Sequence, residues 1–156
     1  MFELTPKPGG KWTEEVLHSF DGNDRENSSA SLIFDASGNL YGPTEYSIFE
    51  LTPKAGGGWT ENLLHNSGST ADLIFDGAGR LYGTTYMGGS QDEGTVFELT
   101  RKADGKWTYL VLYSFLGGVD GANPFAGLVL DASGDIYGTT YYGGGADQGT
   151  VFEFTH

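Results

Sequence analysis

The sequence contains no cysteine and few basic side chains, and each shortage excludes a class of protein. Without cysteine there is no disulfide framework and no thiol chemistry, and the cellular compartment stays open. Only 8 Lys and Arg oppose 21 Asp and Glu, which gives a formal net charge of −13. We therefore expect no nucleic-acid partner, because phosphates require Lys and Arg, and no anionic membrane surface. Cations, metals and neutral ligands such as sugars remain compatible with this charge.

Long apolar runs are also missing. No apolar stretch follows Met1, so we expect no signal peptide, and no run is long enough to insert into a membrane. The localisation of this chain is left open; if its parent protein is secreted, the chain is expected to be a fragment. With only three histidines, one of them C-terminal, no Ser-His-Asp catalytic set can be argued.

Glycine and aromatic residues, in contrast, are abundant. There are 26 glycines and 14% aromatic residues, a composition that suits tight turns between strands packed through aromatic side chains. Residues 127–155 show the pattern most clearly: an apolar run, an Asp-x-x-Gly turn, a second strand, a glycine-rich loop and a third strand.

The same unit recurs along the whole chain. Phe-Glu-Leu-Thr begins at Phe2, Phe49 and Phe97, and Phe-Glu-Phe-Thr begins at Phe152, with spacings of 47, 48 and 55 residues. The repeats are therefore about 2–48, 49–96 and 97–151, with a trailing strand at 151–155, in a single domain spanning 1–156. A period of roughly fifty residues with four strands and no helix is typical of a propeller blade. We predict an all-β fold, a β-propeller built from four-stranded antiparallel blades.

Three motifs resemble the GloVer (Gloeo_Verruco) tandem-repeat family of bacteria: Asp120-Gly-Ala-Asn-Pro124, Asp131-Ala-Ser-Gly-Asp-Ile-Tyr-Gly-Thr-Thr140 and Gly149-Thr-Val-Phe-Glu153. The first repeat departs from the pattern at Pro43 and in its shortened glycine loop, and the second lacks the Asp-Gly-Ala-Asn-Pro segment. The resemblance implies a propeller-like array, often on secreted or cell-surface proteins, and it implies no catalytic residues.

We label the strands of a blade A to D in chain order, with D beginning at Trp12, Trp59 and Trp107. Strand D is predicted to alternate, so that Trp107, Tyr109, Val111, Tyr113 and Phe115 point one way. The chain begins and ends in strand C, so the third blade lacks strand D. Propellers have four to eight blades, and three alone would leave open edges. We therefore predict a homodimer that closes a six-bladed ring, with an N-terminal D strand completing a terminal blade. Two C strands then compete for one place.

The connections divide into two sets of unlike length and charge. The A–B and C–D turns are short and carry most of the basic residues; only Arg25 lies in a long loop. The B–C and D–A loops are long and acidic, with Asp21, Asp24 and Glu26 in the first of them. Because binding sites concentrate in long loops on a rigid scaffold, this long-loop face is the predicted ligand surface. The predicted contacts are Tyr86, Asp92, Glu93, Asn123, Tyr141, Tyr142 and Asp147. Alternatively, acidic loops serve only solubility.

Each remaining candidate has a structural alternative. Asp72, where the other repeats have Ser31 and Gly127, is the candidate ligand for Ca²⁺ or another divalent cation when copies meet around an axis; it is otherwise a solvated strand end. The loops of Asp92 and Asp147 resemble calcium loops only in composition, and their alternative is an Asp that binds backbone N–H groups. The Asp-x-x-Gly aspartates (Asp35, Asp76 and Asp131) are predicted to form structural turns, and His18 and His65 to lie on the surface.

The sequence thus favours a non-enzymatic module that binds or displays, with glycans as the first ligand class. The alternative is a metal-assisted hydrolase of esters, lactones or phosphoesters that uses carboxylates at the propeller mouth. A third reading is a purely structural repeat without a ligand.

Overall fold

A computed structural model describes residues 1–20, 27–28, 30–67 and 70–155. Their elements are thirteen β-strands and a short 3₁₀ helix, Gly118–Asp120. The strands are β1 (Phe2–Lys7), β2 (Lys11–Val16), β3 (Ile33–Phe34), β4 (Leu40–Pro43), β5 (Ser47–Pro53), β6 (Trp59–Asn66), β7 (Ile74–Phe75), β8 (Leu81–Thr85), β9 (Thr95–Arg101), β10 (Trp107–Ser114), β11 (Val129–Leu130), β12 (Ile136–Thr139) and β13 (Val151–Phe154). The all-β prediction is confirmed, and the three Trp-Thr segments are strands.

The strands form four antiparallel sheets in the predicted order A-B-C-D. Two sheets are complete, β3-β4-β5-β6 and β7-β8-β9-β10, while β11-β12-β13 lacks strand D and β1-β2 consists of C and D alone. The register repeats as well: Phe2 lies opposite Val16, as Phe49 lies opposite Leu63 and Phe97 opposite Val111. Both ends of the chain therefore carry incomplete copies of one unit.

The predicted alternation of strand D is wrong in its second half. A β-bulge leaves Leu112 unpaired between Val111 and Tyr113, and Leu64 takes the same place between Leu63 and His65. One extra residue reverses the side-chain direction beyond it. As a result, Trp107 packs towards the preceding sheet, whereas Leu112 and Phe115 pack towards the following one.

The apolar core lies between consecutive sheets. Tyr41 and Ile48 of the first complete sheet join Leu81, Phe97 and Leu99 of the second in one buried cluster. Tyr82 and Val96 of the second sheet pack in turn against Leu128 and Ile136 of the third. At the N-terminal end, Met1, Leu17 and Phe20 pack on Leu40, Phe49 and Leu51. Successive sheets therefore stack through equivalent positions.

Glycine at the centre of strand B makes this stacking tight. A Cβ atom on Gly83 would lie 2.6 Å from Cζ of Phe97 and 2.9 Å from Cδ2 of Leu73. A Cβ atom on Gly42 or Gly138 would likewise lie 2.4–2.9 Å from the equivalent Phe and Leu atoms. Only glycine allows the aromatic ring of strand C to lie against the strand B backbone.

The described residues contain no helix long and apolar enough to cross a membrane. The acidic residues Asp21, Asp24 and Glu26, with Arg25, lie outside the part of the chain that the structure describes.

Candidate functional site

A cleft of about 250 Å³ opens among the long loops, where the three repeats meet. Asp72 lies just before β7, Tyr86 follows β8, and residues 124–127 lead into β11. A backbone bridge between Thr70 and Thr85 holds the entry to β7 beside the exit of β8. The described residues that line the cleft are Ala30, Thr70, Ala71, Asp72, Tyr86, Pro124, Phe125, Ala126 and Gly127.

Asp72 lies next to Ser31 and Gly127, the residues that occupy its position in the other two repeats. Its Oδ1 atom accepts a hydrogen bond from the backbone N–H of Ser31 at 2.6 Å. On the other side, a Cβ on Gly127 would lie 3.0 Å from the Cβ of Asp72 and 3.6 Å from its Oδ2 atom. A larger residue at position 127 would therefore crowd the carboxylate. Of the three equivalent residues, only Asp72 carries a carboxylate. It lies at the point where the A strands of the three repeats begin.

The aromatic part of the cleft comes from Tyr86 and Phe125, whose rings meet edge to face with centroids 6.0 Å apart. Phe125 is 68% exposed, which is unusual for a phenylalanine. Tyr86 was a predicted ligand contact, and the structure brings it together with the predicted metal ligand Asp72. Phe125 and Pro124 were missed, although an aromatic residue directly after Asn-Pro in a predicted long loop is a signal for an exposed ring.

Asn123 holds this wall in place. Its Nδ2 donates to the carbonyl oxygen of Tyr86 at 2.8 Å, and its backbone N–H donates to the carbonyl oxygen of Glu93 at 2.7 Å. Its own carbonyl oxygen accepts from the N–H of Tyr141 at 3.2 Å. The φ angle of 54° is in the left-handed region, which Asn tolerates better than most residues. Asn123 therefore connects the long loops of two repeats and positions Tyr86.

Asp92 and Asp147 have matching roles inside their glycine loops. Oδ1 of Asp92 accepts from the N–H of Gly88 at 2.7 Å, and Oδ1 of Asp147 accepts from the N–H of Gly143 at 2.8 Å. Both residues have positive φ angles, 61° and 53°. This geometry corresponds to the structural alternative given for them above, in which an Asp binds backbone N–H groups.

Tyr141 and Tyr142 lie in the B–C loop of the third repeat and do not line the cleft. Their rings pack edge to face with centroids 4.7 Å apart, and both are exposed. The side chain of Glu93 lies beside Gly117. Of the seven predicted ligand residues, only Tyr86 lines the cleft, and Asn123 bonds its backbone; the other five lie outside the lining.

The Asp-x-x-Gly aspartates form turns as predicted. In the second repeat, Oδ1 of Asp76 accepts from the N–H groups of Ala78 and Arg80 at 2.9 and 2.8 Å. Asp35 and Asp131 make the same pair of bonds to residues two and four positions further on. Burial opposes ionisation of Asp76, but these bonds and the Arg80 side chain together lower its pKa.

The two histidines contact neighbouring sheets. Nε2 of His18 lies 3.1 Å from Oε2 of Glu61, and the ring of His65 stacks on Tyr109 at 3.8 Å. Burial lowers the pKa of His65. Within the described residues no three His, Cys, Asp or Glu side chains come together as a set that could hold a metal. The divalent-cation role of Asp72 and the hydrolase alternative both stay predictions.

The cleft combines the features of a small-ligand site. One carboxylate oxygen, Oδ2 of Asp72, can accept hydrogen bonds, and the rings of Tyr86 and Phe125 offer apolar faces. Such a combination suits a ligand with hydroxyl groups and a C–H face.

Taken together, the fold and the repeated contacts define a tandem-repeat protein made of antiparallel sheets. Its family follows from the sequence pattern: the Gloeobacter/Verrucomicrobia repeat model matches residues 1–156, so the chain belongs to that family. The resemblance noted from the motifs is thereby confirmed over the whole length. No curated protein matches the chain.

Proposed function

We propose that this protein is a non-enzymatic β-propeller module that binds a sugar unit of a glycan in the long-loop cleft. The observation that carries the proposal is the presence of Asp72 and Tyr86 in the lining of one cleft, where three repeats meet. A carboxylate orients hydroxyl groups through charge-assisted hydrogen bonds, and an aromatic ring binds the C–H face of a sugar. The volume of about 250 Å³ suits one sugar ring of a longer glycan rather than a large ligand.

The ring itself is part of the proposal. Consecutive sheets stack through equivalent side chains, and the chain ends in incomplete sheets on both sides. Since propellers have four to eight blades, six is the only multiple of three that fits. In the proposed ring, a second copy of this chain supplies the other three blades. Display at the cell surface or after secretion agrees with this function and with the family resemblance.

A glycan array followed by calorimetry on the hits tests the cleft. We expect Tyr86→Ala to weaken binding of an array hit by about tenfold or more, since such a loss corresponds to about 1.4 kcal/mol. Asp72→Asn keeps an acceptor for the N–H of Ser31 but removes the charge, so affinity should fall while stability holds.

Tyr141→Ala is the matched control, because Tyr141 is exposed on the same face but does not line the cleft. An array without hits would contradict the proposal. Equal losses for Tyr86→Ala and Tyr141→Ala would contradict the assignment to the cleft.

A further inference from the structure

The third sheet carries a groove of about 190 Å³ along the edge where its strand D is missing. The groove runs between the second and third sheets. Its lining combines Phe152, Glu153 and Phe154 of β13 with Val96, Tyr113, Phe115 and Asp120.

The complete sheets show what fills this place elsewhere. In the second sheet, Tyr109 of strand D stacks on Phe97 at 5.0 Å and on His65 of the preceding sheet at 3.8 Å. By repeat position, Phe152 corresponds to Phe97 and Tyr113 corresponds to His65. Both of these equivalents line the groove. The groove is therefore the position that a strand D of the third sheet would occupy. The third residue of that strand would lie between Phe152 and Tyr113.

The chain contains a strand D that has not joined a full sheet. It is β2, where Trp12 and Glu14 correspond to Trp107 and Tyr109. Trp12 is 62% exposed, whereas Trp59 and Trp107 are partly buried. A glutamate is compatible with the position, because Glu61 occupies it in the first complete sheet and contacts His18 at 3.1 Å. The Tyr113 hydroxyl already donates to Oδ1 of Asp120 at 2.6 Å, so Glu14 would lie beside the ring of Tyr113 rather than bond its hydroxyl.

The β2 strand of the same molecule is committed elsewhere. Leu17 and Phe20, which directly follow it, pack against the first complete sheet, and the rings of Phe20 and Phe49 are 5.4 Å apart. This contact repeats the packing of Phe115 on Phe152 at 5.1 Å. The N-terminal sheet therefore packs on the first complete sheet in the same way as the second sheet packs on the third.

We infer that β2 of a second copy enters this groove and supplies Trp12 and Glu14 to the third sheet. The inference rests on the ring closure proposed above and does not depend on the glycan cleft. Two C strands, β1 of the second copy and β13 of the first, would then compete for one position in the third sheet. We assign this position to β13, so that β1 is displaced. All residues of β1 are exposed, whereas Phe152 and Phe154 of β13 pack into a core cluster.

A second contact between the two copies follows from the same correspondence of repeat positions. Tyr41 packs on Phe75 and Trp107 of the next sheet, with centroid distances of 5.0 and 5.8 Å. Among the described residues no sheet follows the one that contains Tyr137, and Phe34, the equivalent of Phe75, is 65% exposed. In the ring, Tyr137 of one copy lies on Phe34 and Trp59 of the other.

The position of Val151 provides the sharpest test. Its equivalents Ile48 and Val96 are fully buried between sheets, yet Val151 is 82% exposed in the single chain. Val119 is 84% exposed in the 3₁₀ helix, outside both contact surfaces. Val151→Asp and Val119→Asp therefore make the same change at equal exposure, and neither disturbs the core of the isolated chain.

Light scattering coupled to size-exclusion chromatography gives the result. We expect the wild type and Val119→Asp to elute at twice the chain mass of 16.7 kDa, and Val151→Asp and Trp12→Ala to elute at the chain mass. Leu4→Asp, in β1, should remain dimeric. A monomeric wild type, or unchanged mass for Val151→Asp or Trp12→Ala, would overturn the inference. A monomeric Leu4→Asp would overturn the displacement of β1.

A positional readout complements the mass. Because the chain has no cysteine, Phe34→Cys and Tyr137→Cys introduce the only thiols, and a short bismaleimide should link a mixture of the two proteins into a covalent dimer. Phe34→Cys mixed with Val119→Cys should remain unlinked. The opposite pattern would overturn the predicted contact. Glycan binding by a protein that proves monomeric would separate failure of this inference from failure of the cleft proposal.

Discussion

The hydroxyl of Tyr41 donates a hydrogen bond to Oε1 of Glu50 at 2.6 Å, inside the stack of sheets. Tyr82 and Tyr137 make the same bond to the strand C glutamates of their own sheets, Glu98 and Glu153. Glu50 is only 3% exposed, so the phenol is a principal partner of a buried carboxylate. The same hydroxyl lies 3.1 Å from Oδ2 of Asp35, so the pair links the Asp-x-x-Gly turn of its sheet to the apolar core.

Removing this hydroxyl should destabilise the protein. In Tyr41→Phe the ring still fills its place, but Glu50 loses its shortest hydrogen bond. Leaving a buried acceptor without that partner costs about 1–3 kcal/mol of the free energy of unfolding. Urea denaturation measures the loss. Tyr46→Phe, at a half-exposed loop residue, is the control and should change stability by less than about 0.5 kcal/mol. Equal effects of the two variants would refute the role of the pair.

The same phenols predict how stability responds to alkali. Burial, and then the hydrogen bonds and charges of Glu50 and Glu98, raise the pKa of Tyr41 and Tyr82 above the ordinary value of 10.0. A raised pKa in the folded state means that the stabilisation is fully present below pH 10 and is lost as pH rises towards the folded-state pKa.

The urea midpoint should therefore decrease as the pH rises above about 10. The phenolate absorbance of these tyrosines should appear at higher pH than that of a tyrosine with the ordinary pKa. The hydrogen bond to Glu153 raises the pKa of Tyr137 to about 12. If all nine tyrosines ionised together near their ordinary pKa without loss of stability, the prediction would be wrong.

Glycine at the middle of strand B should tolerate no side chain. In Gly83→Ala the new Cβ would meet Phe97 and Leu73 at less than 3 Å, so we expect a loss of about 1–3 kcal/mol from overpacking. Gly77→Ala is a matched control in an Asp-x-x-Gly turn, where the new Cβ meets no atom within 4 Å. It should be neutral or slightly stabilising in thermal unfolding. A Gly83→Ala protein as stable as Gly77→Ala would exclude the close packing.

Two substitutions at Asn123 separate its two contributions. Asn123→Ala loses the bond to the Tyr86 carbonyl and places alanine at a φ of 54°, for a combined cost of about 2 kcal/mol. Asn123→Gly loses the bond without that backbone strain, so it should be more stable than the alanine variant by about 1 kcal/mol. Chemical denaturation distinguishes them. Identical stabilities would show that the left-handed backbone carries no cost here.

Local patterns in the sequence predicted the repeating unit well. The Asp-x-x-Gly turns form within five residues, so their residue types suffice to define them. The strand order also follows from the order of motifs along the chain, and β4, β8 and β12 begin at the residues predicted for strand B, Leu40, Leu81 and Ile136.

Features that depend on contacts between repeats were harder to predict. The bulges at Leu64 and Leu112 add one residue without any glycine or proline to mark them, so simple alternation failed beyond that point. The cleft also went unseen as a unit, because Asp72, Tyr86 and Phe125 come from separate loops that meet only after the sheets stack.

The self-contained aspartate turns have a practical consequence for handling this protein. Each turn tip, such as Ser37 or Ser133, is exposed and follows an Asp whose Oδ1 already satisfies the local backbone N–H groups. A fluorophore or an affinity peptide attached at such a tip would need no partner from the rest of the molecule. These tips offer three evenly repeated attachment points on the side opposite the cleft, from which immobilised protein would present its long loops to solution.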